Sequence, residues 1–416
     1  MTSMPSDETL HMGRRAPGLE LNRSPIDMAR MRQYRLDRVQ KELQRASCAA
    51  VVLMDPINRR YATGASLHSL FQFHLPSRYA IVPASGKAIL FQAGGARDVP
   101  ETADVVGEVR PPAVYTYYYA SHRVEERARQ WAAQVADVVR QAGGSEKRVA
   151  VDRLEPVGMH ALEQAGLVVV NAQEMLEQAR LIKSPDEIGC MLASISVAET
   201  GISEMRARLK PGITENQLFA ILHEANVSGG GEWIEGRLLS SGGNTNPWGR
   251  ESGSKIVRAG ELVAFDTDMV GPFGYCADVS RTLHCPPGRP TAAQRSLYRT
   301  AVEQLEFNMS LIRPGLSYRE FAEKAWPMPE EYRKNRYGVL AHGIGLCDEY
   351  PGIGHLQDWS ERGLEGIFEE NMALCVESYI GLDGGADGVK LEEQILVTAA
   401  GIQRLSTFPY EEALLG

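Results

Sequence analysis

At 416 residues with 44% apolar content, the chain is long enough for two domains, each burying a sizeable core. A formal net charge of −9, with no long Lys/Arg run and no basic patch interleaved with aromatics, argues against a nucleic-acid partner. The first 25 residues carry no apolar signal region, and no uncharged apolar run approaches the length of a membrane span, so the expectation is a soluble, cytoplasmic protein with no membrane partner. Six cysteines (Cys48, Cys190, Cys276, Cys285, Cys347 and Cys375) are scattered without a C-x-x-C pair and read as reduced thiols.

In chain order, residues 1–24 are polar and expected to be mobile. Ile26 to Ala46 then predicts a helix, with Leu36, Val39 and Leu43 at helical spacing. Strands are expected at 49–54, 79–83 and 88–91, the last two joined by the turn Ala84-Ser85-Gly86-Lys87. A helix from about Glu125 to Gln141 and a strand at Val149–Val151 complete the alternation. This pattern predicts a three-layer α/β domain over residues 25–178 and a second domain over 179–416, in an α/β (α+β) fold class. Near the junction, Ser184 can cap a helix that Pro185 opens, with Glu187 placed to close a capping box. That helix runs to about Leu209, where Pro211-Gly212 stops it. Two more helices are expected at about Ala292 to Ile312 and Tyr318 to Ala325.

The chemistry-bearing residues lie in this second half. Asp266 and Asp268, one residue apart in LVAFDTDMV, are predicted on one face of a strand whose hairpin partner returns Asp278. His342, Glu377 and Glu392 follow, each in or beside an apolar, β-rich stretch where a lone charge is costly to bury. Taken singly, each has an ordinary reading as a solvated carboxylate or a satisfied core histidine. Together, three aspartates, two glutamates and an imidazole suffice for two metal ions that share bridging carboxylates.

The order Asp-x-Asp, Asp, His in HGIG, Glu, Glu resembles the pita-bread metallohydrolases: methionine aminopeptidase, prolidase, aminopeptidase P and their metal-free relative creatinase. ARLIKSPDEI and LKPGITENQL are similar to the creatinase and prolidase branch, which carries an extra N-terminal domain. The resemblance implies a creatinase-like N-terminal domain before a pita-bread domain. It also implies that Asp266, Asp268, Asp278, His342, Glu377 and Glu392 hold two metals, with Asp278 and Glu392 bridging.

Two departures redirect the expected reaction. Peptidases of this family place a second histidine after HGIG, where this chain has Leu346-Cys347-Asp348-Glu349 in a loop one residue shorter. They also tend to place a histidine where Trp248 stands. The pattern that remains resembles dimethylsulfoniopropionate lyases of the DddP type, which the resemblance endows with an aspartate base after HGIGLC. It therefore implies Asp348 as base, with Glu349 as competitor, acting on a small carboxylate bearing a sulfonium group. The resemblance tilts the metal to iron, while manganese, zinc and cobalt suit the same ligands, and it implies a homodimer. Aromatic faces attract a sulfonium cation. Tyr337 and Trp248 are the preferred candidates, followed by Trp233 and the cluster Tyr115, Tyr117, Tyr118 and Tyr119, whose alternating spacing also reads as a half-exposed strand. A competing expectation is an Xaa-Pro metallopeptidase in which His355 replaces the missing histidine.

Overall fold

The computed structural model describes residues 26–65, 69–93 and 102–416; the segment 1–24, expected to be mobile, lies outside the described residues. One compact unit covers Asp27–Asp186, and the other comprises Glu187–Gly416 with Ile26.

The first unit opens with α1 (Met28–Arg45), which Asp27 caps by accepting from Arg30 N at 3.0 Å. Met31, Leu36, Val39 and Leu43 form its buried stripe. The strand β1 (Ala50–Leu53) is apolar and buried throughout, as a central strand covered on both faces requires. It is flanked by β2 (Tyr79–Pro83), β3 (Ala88–Phe91) and β4 (Val106–Arg110) on one side, and by β5 (Arg148–Val151) and β6 (Val168–Asn171) on the other. The resulting six-stranded order is β4-β3-β2-β1-β5-β6, with β1–β2 and β2–β3 antiparallel and the remaining pairs parallel. The helix α2 (Val124–Gly143) sends Trp131 into the core, where Tyr79 and Tyr115 pack around it.

The tyrosine cluster does not form the half-exposed strand that its spacing suggested. Tyr117–Ala120 is one helical turn, closed by Ala120 N donating to Thr116 O at 2.9 Å. Tyr115 is buried with its hydroxyl on Glu155 (3.0 Å), while Tyr117 and Tyr118 are 73% and 70% exposed. Strand alternation fails because a helical turn sends successive side chains around an axis rather than to two opposite faces.

The second unit begins at α3 (Pro185–Arg208), followed by α4 (Glu215–Ser228), whose start is fixed by a reciprocal Thr214/Gln217 capping box. Three small sheets follow. In the first, β7 (Trp233–Ile234), β8 (Met269–Val270) and β9 (Cys276–Ala277) pair in the order β9-β8-β7. In the second, Leu262–Phe265 lies between Leu239–Ser241 and Arg281–His284. The third has five strands: β10 (Ala341–Ile344), β11 (Asp348–Ile353), β12 (Ala373–Gly381), β13 (Gly388–Thr398) and β14 (Gly401–Arg404), in the order β11-β10-β12-β13-β14. The helix Ala292–Leu311 packs on β12, where Ser378 Oγ donates to Ala301 O at 3.0 Å.

All nine residues of β12 are buried, as are ten of the eleven in β13. Because β13 includes Lys390, Glu392, Glu393 and Gln394, charge is packed inside the unit and must be compensated there.

Candidate metal centre

β13 places Lys390, Glu392 and Gln394 on one face and Glu393 on the other, following the two-residue period of a strand. Glu393 is neutralised by Arg281 at 2.8 Å. On the opposite face, register sets Glu392 directly across from Glu377 of β12, and His342 of β10 across from Cys375. Two glutamates opposed across a buried antiparallel pair repel unless a cation lies between them.

Asp266 and Asp268 reach the same place by a different route from the one their spacing predicted. The strand ends at Phe265, and Asp268 takes a left-handed backbone (φ 36°), so the DTD triplet is a kink rather than regular strand. Thr267 turns its hydroxyl inward, donating to Ala277 O (2.8 Å) and accepting from Val279 N (2.9 Å), and so ties the ribbon on both sides of Asp278. One oxygen from each of Asp266, Asp268 and Asp278 falls within 4.8 Å of the others. A second group, with ligand atoms equally close, joins Asp278 and Glu392 to His342 and to the thiol of Cys375, which the sequence reading treated only as a reduced cysteine.

His342 faces these acids with Nε2, which lies 3.5 Å from Glu377 Oε1, 3.5 Å from Glu392 Oε1 and 3.6 Å from Asp278 Oδ2. Its Nδ1 is 3.0 Å from the Gly343 carbonyl, a contact that fixes the ring with Nε2 turned to the acids. The glycines of HGIG have a steric cause: a β-carbon at Gly343 would strike the backbone of Glu349 and Tyr350, and one at Gly345 would strike the Glu349 carboxylate.

The donor set fits metal ions. Among the described residues, Asp278 Oδ1 and Glu392 Oε1 are buried without a hydrogen-bond partner, a cost that native folds rarely carry unless an ion or water meets such atoms. Burial, followed by the charges of Asp266, Glu392 and Asp348, pushes Asp268 up to about 9; burial, followed by Glu392, pushes Glu377 up to about 7. Asp266 and Asp278 are also raised, first by burial and then by neighbouring acids. Burial works against ionisation of Glu392 as well, but Lys390 and His342 hold it well below the usual carboxylate range. Such a cluster carries more negative charge than its own protein cations balance.

Lys390 was missed by sequence reasoning. Its Nζ donates to Glu377 Oε2 (2.6 Å), Ser280 Oγ (2.6 Å), Glu392 Oε2 (3.0 Å) and Asp266 Oδ2 (3.1 Å). It also stands 4.7 Å from the Tyr337 ring centroid and 5.8 Å from that of Trp248, bringing both preferred aromatic residues to the centre. Gln394 contributes too, accepting from Asp278 N at 3.2 Å.

Asp348 opens β11 at the mouth of the site. Its side chain is 66% exposed, with Oδ1 at 3.6 Å from His342 Nδ1. Although open to solvent on one side, its carboxyl is held above the usual range, first by the protein mass around it and then by Glu392 and Asp266, with His342 opposing. Glu349 is turned away, accepting from Leu346 N at 3.2 Å. His355 meets none of the acids; its Nε2 is bonded to Tyr337 O at 3.1 Å.

Residues 35–182 match the model of the creatinase/prolidase N-terminal domain, and residues 189–399 match metallopeptidase family M24. The dimethylsulfoniopropionate lyase DddP of Roseovarius nubinhibens is 34% identical over 94% of this chain and 89% of its own. That of Roseobacter denitrificans is 33% identical over 94% and 88%. A putative dipeptidase of Bacillus subtilis, YkvY, is 25% identical over 92% of the chain. Among solved structures, the Xaa-Pro dipeptidase of Bacillus anthracis superposes with a TM-score of 0.71 at 21% identity, covering 91% of this chain and 99% of that one, a likeness of fold. A creatinase-type domain followed by an M24 domain, with close kinship to the lyases along nearly the whole chain, means that this protein belongs to the DddP-type branch of the pita-bread superfamily.

Proposed function

We propose that the protein is a metal-dependent carbon–sulfur lyase that cleaves dimethylsulfoniopropionate to dimethyl sulfide and acrylate. The observation that carries this reading is the acid at the mouth of the centre: Asp348 stands beside His342, and the other histidine of this region, His355, is committed to the Tyr337 backbone. The proton-handling group on offer is therefore a carboxylate base.

Asp266, Asp268, Asp278, His342, Glu377 and Glu392 would hold two metal ions. Bound divalent metal supplies Lewis acidity for a substrate carboxylate. Asp348 takes the proton from the carbon α to that carboxylate. The electron pair left there forms the carbon–carbon double bond, the carbon–sulfur bond breaks, and sulfur leaves with its bonding pair as neutral dimethyl sulfide. Tyr337 and Trp248 offer π faces to the sulfonium, which has no hydrogen-bond donor of its own.

The same Asp348 carboxylate could instead orient His342. At 3.6 Å it is beyond hydrogen-bonding range, and Gly343 O is closer to the same nitrogen. Asp348→Asn separates the two roles: metal content stays at the wild-type level, and elimination falls by roughly 10²–10⁴-fold. Loss of metal in that variant would make Asp348 a structural residue. The substrate is tested by incubating the metal-loaded protein with dimethylsulfoniopropionate and with Gly-Pro in parallel, measuring headspace dimethyl sulfide and free proline. Proline release without sulfide overturns the proposal in favour of a dipeptidase. The same reading takes the resident metal as iron and the working form as a homodimer, which elemental analysis of protein purified without added metal and light scattering address.

A further inference from the structure

Lys390 is 0% exposed and stands outside the six-ligand set. An ammonium has three protons to give, and here four oxygens converge on it at 2.6–3.1 Å. The contacts divide the ligands atom by atom. Glu377 and Glu392 each give Oε2 to Lys390 and turn Oε1 to within 3.5 Å of His342 Nε2. One oxygen of each glutamate is thereby anchored and the other is left facing the imidazole.

We propose that Lys390 is a positioning residue, a built-in cation that holds the opposed Glu377 and Glu392 and the neighbouring Asp266 in place before any metal arrives. Two observations carry this beyond an ordinary buried ion pair. First, the strand register brings Glu377 and Glu392 together whether or not metal is present, so in a metal-free chain a permanent cation bonded to both offsets their repulsion across the β12–β13 pair. Second, the charges match once the ligands are deprotonated, as metal binding requires. Five ligand carboxylates (Asp266, Asp268, Asp278, Glu377 and Glu392) less one ammonium leave four negative charges, the number that two divalent ions cancel. Lysine and metal thus act on the same acids, and removing one makes folding depend on the other.

This inference rests on the metal-centre reading but not on the identity of the reaction, so its test uses no turnover. Wild type, Lys390→Met and Lys390→Arg are stripped with EDTA and melted, then melted again in excess Mn²⁺, with bound manganese counted by elemental analysis. Metal-free Lys390→Met is expected to melt roughly 6–20 °C below metal-free wild type, as an uncompensated buried charge cluster should. Mn²⁺ should stabilise it roughly twice as much as it stabilises wild type. Lys390→Arg, which keeps the charge, is expected to melt near wild type in both states. An equal Mn²⁺-induced gain in Lys390→Met and wild type overturns the proposal, as does Lys390→Arg falling with Lys390→Met. If Lys390→Met is recovered only in the presence of Mn²⁺, that is the proposal in its strongest form. If it is not recovered at all, the metal-free melting of Lys390→Arg decides: near wild type supports the built-in cation, well below overturns it. A wild type that binds no Mn²⁺ would count against the metal reading, while the EDTA-treated comparison would still judge Lys390.

Discussion

His355 has a chemical role that differs from a peptidase histidine. Burial first, and then Arg336, depress it from the ordinary range to about 4, so it stays neutral while its Nε2 faces the Tyr337 carbonyl. In the unfolded chain it titrates near 6.5, so at lower pH the unfolded state binds the extra proton. The stabilisation is complete above about pH 6.5 and is lost as pH falls through 4, with about 3 kcal/mol at stake as an upper bound. His355→Gln should therefore flatten the stability profile between pH 6.5 and 4, measurable as Tm against pH; an unchanged slope would remove His355 from the acid response. The aromatic wall makes a separate prediction. Trp248→Ala should raise KM for a sulfonium substrate by roughly 5–30-fold, the range of a desolvated cation–π contact, and change kcat less. A fall in kcat alone would place Trp248 in the chemical step instead.

At the scale of elements, the sequence showed which acids and which histidine stand out, and the structure gathers Asp266, Asp268, Asp278, His342 and Glu392 by a route that periodicity did not show. Carboxylates and a histidine embedded in apolar runs announce a cation because burying them otherwise is costly. The DTD triplet, however, converges through a left-handed residue and a hydroxyl bridge from Thr267, neither of which strand periodicity encodes. Thr267→Val should cost about 1–3 kcal/mol by orphaning Val279 N and Ala277 O, and should weaken metal binding because Asp278 lies between those two groups. Thermal melting and a metal titration check both effects. Lys390 escaped notice for the opposite reason. Lys, Glu and Gln alternating in GVKLEEQ is the pattern of a solvent-facing strand edge, and only tertiary burial turns that face inward.

At the scale of the molecule, the order of two α/β units was readable from alternating helix and strand signals, and family kinship follows the chain along nearly its whole length. The tyrosine run was misread because five residues are too few to separate a helical turn from a strand by spacing. Each unit has its own apolar core, one around Trp131 and one joining Phe219, Leu222 and Phe265. Calorimetry should therefore resolve two unfolding transitions, and chelation should lower only that of Glu187–Gly416, where the ligands lie. Chelation lowering both transitions together would show a single cooperative unit.

Across β10 and β11 the partners run His342 to Gly352 and then Gly343 to Glu349, so the register shifts at Tyr350 and Pro351. That shift works as a slip joint. On one side of it His342 stays locked to Cys375 and the metal platform; on the other, the tight turn that carries Asp348 can gain or lose a residue without pulling the sheet. A change of loop length there would re-aim the Asp348 carboxylate while leaving His342 in register with Cys375.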